Sequence, residues 1–116
     1  SSGYRFEFCA LRVVIRLYPR EEKDFPARIA VSVSKRRFKR AVKRNRVKRL
    51  IRETYRLNKN ILYSYIPEDK TMDILFIYLH DEIFEYGKIE KAITGAIKKI
   101  RSYIEKDSGG DIAETY

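Results

Sequence analysis

Residues 35–56 read KRRFKRAVKRNRVKRLIRETYR, and the fold and chemistry of the chain turn on how this stretch is read. It holds 12 basic residues and one acid, Glu53, for a net charge of +11, whereas the whole 116-residue chain carries +10. The remainder has 14 basic and 15 acidic side chains and is close to neutral. The surplus is therefore local, which points to one polyanion-binding face rather than a generally cationic surface.

A helical wheel advancing 100° per residue sorts the stretch into two faces. Val47, Leu50, Ile51, Thr54, Leu57, Ile61 and Leu62 fall in one arc, with Tyr55 at its margin. Asn45, Lys48, Arg49, Arg52 and Arg56 fall in the opposite arc, with Arg46 on its flank. The spacing predicts an amphipathic helix whose apolar stripe packs on a sheet. Its polar row Asn45, Arg49, Arg52 and Arg56 is roughly 16 Å long at helical rise. Guanidinium forks at that spacing suit successive phosphates better than ammonium groups do. A merely solvated face normally mixes signs for i,i+4 pairing, and this one holds a single acid.

The order and spacing of these residues also carry a family resemblance. Ser32-Val33-Ser34-Lys35-Arg36, followed after a short turn by Ala41 to Glu53 with the core Arg44-Asn45-Arg46, then Lys48-Arg49 and Arg52-Glu53, resembles the signature of the bacterial ribonuclease P protein subunit. The likeness extends more loosely over about residues 10 to 104 through the order of elements. It implies that the chain is the protein cofactor of a catalytic RNA, which uses its own magnesium ions to hydrolyse the phosphodiester at the 5′ end of mature transfer RNA. By motif match, Lys35, Arg36, Arg44, Asn45, Arg46, Lys48, Arg49 and Arg52 would contact that RNA. Arg40 of the preceding turn and Arg56 of the helical row complete the candidate set. Asn45, the uncharged member, suits a hydrogen bond to a 2′-hydroxyl or a phosphate. The turn Arg37-Phe38-Lys39-Arg40 lacks the Gly or Asn of some members, and Phe38 reads as a packing residue at the helix start.

The rest of the chain supplies the scaffold. Phe8 to Tyr18 alternates with period two and reads as one half-buried strand, with Cys9, Leu11, Val13, Ile15 and Leu17 facing the core. A loop bounded by Pro19 and Pro26 follows, then a second strand through Ile29, Val31 and Val33, most simply antiparallel to the first. Asn58 to Asn60 and Tyr63 to Lys70 read as a connection after the basic helix. Met72 to Leu79, MDILFIYL, reads as a central strand covered on at least one side by helices. From about Gly87 to Lys106, apolar residues at helical spacing predict a core helix. The expected organisation is one RNA-binding domain over residues 1–106 and a flexible tail over 107–116.

These elements make an α/β chain, specifically an α+β sandwich: one mixed sheet, a basic helix in a crossover and a C-terminal helix, as in ribosomal-protein-like folds. The resemblance further implies a left-handed crossover between parallel neighbouring strands, against the usual hand. It also implies a sheet-face cleft for the single-stranded leader of precursor transfer RNA, walled by aromatic residues of an N-terminal helix. Residues 1–8 do not read as such a helix, so leader recognition through it is not expected of this sequence. Arg12, Val14 and Arg16 either line that cleft or, for the two arginines, are solvated strand residues. Tyr4, Phe6 and Phe8 either stack on RNA or begin a strand.

The sequence carries no protein catalytic centre. His80 is the only histidine, Asp81 and Glu82 beside it read as solvated acids, and there is no Gly-rich phosphate loop, close carboxylate pair or metal-spaced His/Cys cluster. Lone Cys9 forms no internal disulfide, and with no signal segment or long apolar span a cytoplasmic protein without membrane contact is expected. The expected partners are the catalytic RNA and precursor transfer RNA, with magnesium held by the RNA. A structural RNA-binding protein such as a ribosomal component is the alternative, and a DNA-binding regulator a third.

Overall fold

Six elements follow one another in a computed structural model that describes residues 3–108: β1 (Gly3–Phe8), β2 (Leu11–Pro19), β3 (Ala27–Val33), α1 (Ala41–Tyr63), β4 (Lys70–Tyr78) and α2 (Tyr86–Ser108). The strands form one sheet in the order β1-β2-β4-β3. β2 runs antiparallel to β1 and β4, while β3 runs parallel to β4, so the sheet is mixed and α1 is the crossover between parallel neighbours. The expected tail over residues 107–116 lies outside the described residues from 109 onward, and α2 reaches Ser108.

The single N-terminal strand expected from Phe8 to Tyr18 is instead the second half of a hairpin. Cys9 and Ala10 have φ of 49° and 65°, both in the left-handed region that a two-residue type I′ turn requires. Such turns usually carry Asn or Gly, so nothing in the alternating sequence marks this one. The strain is offset by the β1–β2 ladder from Gly3↔Arg16 to Phe8↔Leu11 and by Leu79 N–H donating to Ala10 O at 2.8 Å. Cys9 is consequently exposed at the hairpin tip, not directed into the core. The expected pairing of the next two strands is also corrected. β3 does run opposite to β2, but β4 lies between them because a central apolar strand gains by burial from both sides.

One face of the sheet carries the core. Leu11, Val13 and Ile15 of β2, Met72, Ile74, Phe76 and Tyr78 of β4, and Ala27, Val31 and Val33 of β3 are buried there. α1 covers this face with Val47, Ile51, Thr54, Tyr55 and Leu62. α2 adds Ile89, Ile93, Ala96, Ile97 and Ile100. Thr54 is tolerated because its hydroxyl donates to Leu50 O at 2.7 Å, one turn back. The Tyr55 hydroxyl is buried near that of Tyr63, and burial first, then that neighbour, pushes its pKa up.

α1 is longer and rolled relative to the expected wheel. Asn58 to Asn60 belong to the helix, and Asn58 Nδ2 donates to Thr54 O at 2.8 Å. Leu57 is 62% exposed and Ile61 52%, whereas Tyr55 is buried. The buried stripe is centred toward Ile51 and Leu62 rather than Val47, which leaves the Leu57 side of the arc in solvent.

β1 is held down by α2. Tyr4 stacks on Tyr103 with ring centroids 4.4 Å apart, and Gly95 lies so close to Phe8 that a Cβ there would collide with the ring. Gly95→Ala should therefore cost about 1–3 kcal/mol through overpacking. Denaturant melts of Gly95→Ala, Phe8→Ala and the double variant check this. The cost at residue 95 should shrink once the ring is gone.

Candidate nucleic-acid interface

The basic stretch divides into a turn, residues 34–40, and the exposed side of α1. Ser34 nucleates the turn: its Oγ accepts from Arg36 N–H at 3.0 Å, and its carbonyl accepts from Arg37 and Phe38 N–H. Phe38 is 5% exposed and packs 6.2 Å from the Tyr78 ring centroid, so it anchors the helix start as expected and offers no surface to a base. Arg44 reaches back from the first turn, its Nη1 donating to Phe38 O at 2.8 Å and Lys39 O at 3.0 Å. Part of the first arginine of the motif is thus spent on shaping the turn.

Along α1, Asn45, Arg46, Arg49, Arg52 and Arg56 are exposed and Lys48 is half-buried. Lys35, Arg36 and Arg40 of the turn are exposed as well. Among the described residues the ion pairs are Arg12–Glu7, Arg28–Asp73, Arg37–Asp81 and Arg101–Glu105, so no candidate cation of the turn or helix is neutralised by a carboxylate. Arg40 gives no capping side-chain bond and the first turn contains no acid, so the positive end of the helix dipole adds to the same field. A row of unpaired guanidinium groups on a rigid helix is preorganised for a phosphate backbone.

The opposite face of the sheet carries a second set. Register places Val14 beside Leu75, Arg12 beside Ile77 and Arg16 beside Asp73. The three leader-cleft candidates therefore share one face, around a half-buried apolar floor of Val14, Leu75 and Ile77. Arg12 is drawn to Glu7 at 2.8 Å, and Asp73 is paired with Arg28 at 2.9 Å. Arg16 has no carboxylate partner among the described residues. Leu75 and Ile77 were missed as candidates because an apolar run hides which residues share a face with Arg12 until register is known.

Tyr4, Phe6 and Phe8 pair with Ile15, Val13 and Leu11 and so lie on the helix side, away from Arg12 and Arg16. Lys99 Nζ sits 6.0 Å from the Phe6 ring centroid and 5.7 Å from that of Phe8. Their strand-forming reading holds. His80 organises the loop after β4, its Nδ1 accepting from Glu82 N–H at 3.1 Å. The Asp81 carboxylate is taken by Arg37 at 2.8 Å, a pairing that sequence separation concealed.

The family model for ribonuclease P matches residues 5–101. The chain is 41% identical over 101 residues to the ribonuclease P protein component of Porphyromonas gingivalis, covering 86% of this chain and 73% of that one. The chain belongs to the ribonuclease P protein family. A Chlorobaculum tepidum ribonuclease P protein component is 60% identical over 44 residues, 38% of this chain and 29% of that one. The fold agrees with the solved Staphylococcus aureus RNase P protein, with a TM-score of 0.63 at 24% identity over 84% of this chain and 81% of that one. It also agrees with the Thermotoga maritima RNase P protein, TM-score 0.62 at 22% identity over 84% and 83%. As a ribonuclease P protein, the chain is an RNA-binding subunit of the ribonucleoprotein that processes transfer RNA 5′ ends. Among its described residues no helix is long and apolar enough to cross a membrane.

Proposed function

We propose that the exposed side of α1 and the preceding turn dock on the catalytic RNA of ribonuclease P, and that the open sheet face receives the 5′ leader of precursor transfer RNA. The row of cations without a carboxylate partner supports the first part. Lys35, Arg36, Arg40, Arg46, Lys48, Arg49, Arg52 and Arg56 neutralise phosphates, Arg44 adds its remaining donors, and Asn45 contributes a directional hydrogen bond. The magnesium ions that perform hydrolysis are held by the RNA, and the protein's cations lower the repulsion among the phosphates that those ions would otherwise have to screen. For the leader, Arg16 and Arg12 supply charge beside the apolar strip of Val14, Leu75 and Ile77, on which bases rest. The protein acts in the cytoplasm, where precursor transfer RNA is made.

The test is stimulation of precursor cleavage by the catalytic RNA at low magnesium. Addition of the protein should restore cleavage, and the Arg49→Ala, Arg52→Ala double variant should need a higher protein concentration to do so. No stimulation by the unaltered protein would remove the proposal. The leader face has its own readout. Arg16→Ala should weaken precursor binding about three- to tenfold while leaving mature transfer RNA unchanged, as loss of one phosphate contact requires. Tyr4→Leu, on the other side of the sheet, should leave that preference intact.

A further inference from the structure

An open cleft of about 430 Å³ lies between the start of α1 and the loop joining β4 to α2. Lys39, Arg40 and Lys43 line one wall, and Asp81, Glu82 and Ile83 the other. Its volume falls within the roughly 300–1,000 Å³ of small-ligand sites. Both walls are fixed from behind. On the basic side, Arg44 holds the carbonyls of Phe38 and Lys39, and Phe38 is buried. On the acidic side, the buried Tyr78 hydroxyl donates to Glu82 O at 2.8 Å and accepts from Phe84 N–H at 3.1 Å. His80 Nδ1 accepts from Glu82 N–H, and the Arg37–Asp81 pair ties the walls together. The side chains that line the cleft are by contrast largely unspent. Among the described residues, the side chains of Lys39, Arg40, Lys43 and Glu82 make no ion pair or hydrogen bond, although the backbone carbonyls of Lys39 and Arg40 accept from Arg44.

A cleft with cations on one side and a free carboxylate on the other is built for a ligand that is anionic at one end and donor-rich at the other. Single nucleotides differ in how well they meet this demand. A carboxylate only accepts hydrogen bonds, and among the four RNA bases guanine alone presents two adjacent donors, N1–H and the N2 amino group, on its Watson–Crick edge. On the same edge adenine and cytosine set an acceptor beside their amino group, and uracil flanks its one donor with carbonyls. Ile83 adds an apolar surface for a base. Arg40, which lines the cleft, also belongs to the turn that precedes α1, so a nucleotide seated here adjoins RNA docked on that turn.

We propose that this cleft captures one unstacked guanosine nucleotide of the catalytic RNA, with Lys39, Arg40 and Lys43 on its phosphate and the Glu82 carboxylate on its base. The inference rests on the docking of α1 proposed above and adds a base preference to an interface otherwise made of phosphate contacts.

The test uses the free protein and the 5′-monophosphates of guanosine, adenosine, cytidine and uridine, with inorganic phosphate as control, followed by backbone amide NMR shifts. Guanosine monophosphate should move the amides of residues 39–43 and 81–83 together, with an affinity about tenfold above the other nucleotides, the discrimination of a good bidentate base contact. Glu82→Gln should remove that preference with an unchanged melting temperature, and the catalytic RNA should displace the nucleotide. Equal binding of all four nucleotides, shifts confined to the basic wall, or no binding at millimolar concentration overturns the proposal. So does simultaneous binding of guanosine monophosphate and the RNA, which would make this a free-nucleotide site. Each of these results leaves stimulation of cleavage by α1 untouched, so the two readings fail separately.

Discussion

Binding to the catalytic RNA should weaken steeply with salt, log K falling against log salt concentration with a slope of about −4 to −7. The value follows from counterion release: each phosphate neutralised contributes close to one unit, and the exposed row of α1 with the preceding turn can reach about five to eight of them. Between low and physiological salt such a slope removes about three orders of magnitude in affinity. The structure strengthens the expectation because the candidate cations are not committed to carboxylates of the protein. A cation already paired in the free protein would exchange one partner for another and release less. The Arg49→Ala, Arg52→Ala double variant should flatten the slope by about two units. Titrations at four or five salt concentrations measure it, and a slope near −1 for the unaltered protein would show that phosphate contacts do not dominate.

The basic helix and the order of elements were legible because each rests on a local pattern. Charge segregation in residues 35–56 shows on a wheel, and β4 shows as an apolar run too short for a helix. What escaped the sequence depends on partners far along the chain. The turn at Cys9 and Ala10 lies inside an unbroken alternation and carries neither Gly nor Asn, so it looked like more strand. The place of β4 between β2 and β3 is set by competition for the most buried position, which no single strand encodes. Arg37 reads as one more free cation until Asp81, 44 residues later, is brought to 2.8 Å. Arg44 likewise looks like its neighbours, yet its position at the helix start lets it bond two carbonyls of the turn. Sequence identified which residues are cationic; only packing separated those available to RNA from those used to hold the interface in shape.

That separation can be measured with three alanine substitutions on one helix. Ile51→Ala should destabilise the fold by about 2–5 kcal/mol, since the side chain is fully buried against the sheet and its loss leaves a cavity. Leu50→Ala should cost less. The wheel placed Leu50 within the apolar arc, but the structure leaves it half-buried at the edge of the core, where solvent fills the vacated space. Arg49→Ala, on the exposed side with no ion-pair partner among the described residues, should change stability by no more than about 0.5 kcal/mol. In RNA affinity the order reverses. Arg49→Ala should lose a phosphate contact, whereas Leu50→Ala should retain full affinity at temperatures where it remains folded. Urea melts give the first ranking and titrations at fixed salt the second. Equal destabilisation by all three would mean that α1 is rolled differently on the sheet. Unchanged RNA affinity for Arg49→Ala, with its slope against salt also unchanged, would take the polar row out of the interface and leave the residue 34–40 turn as the principal contact.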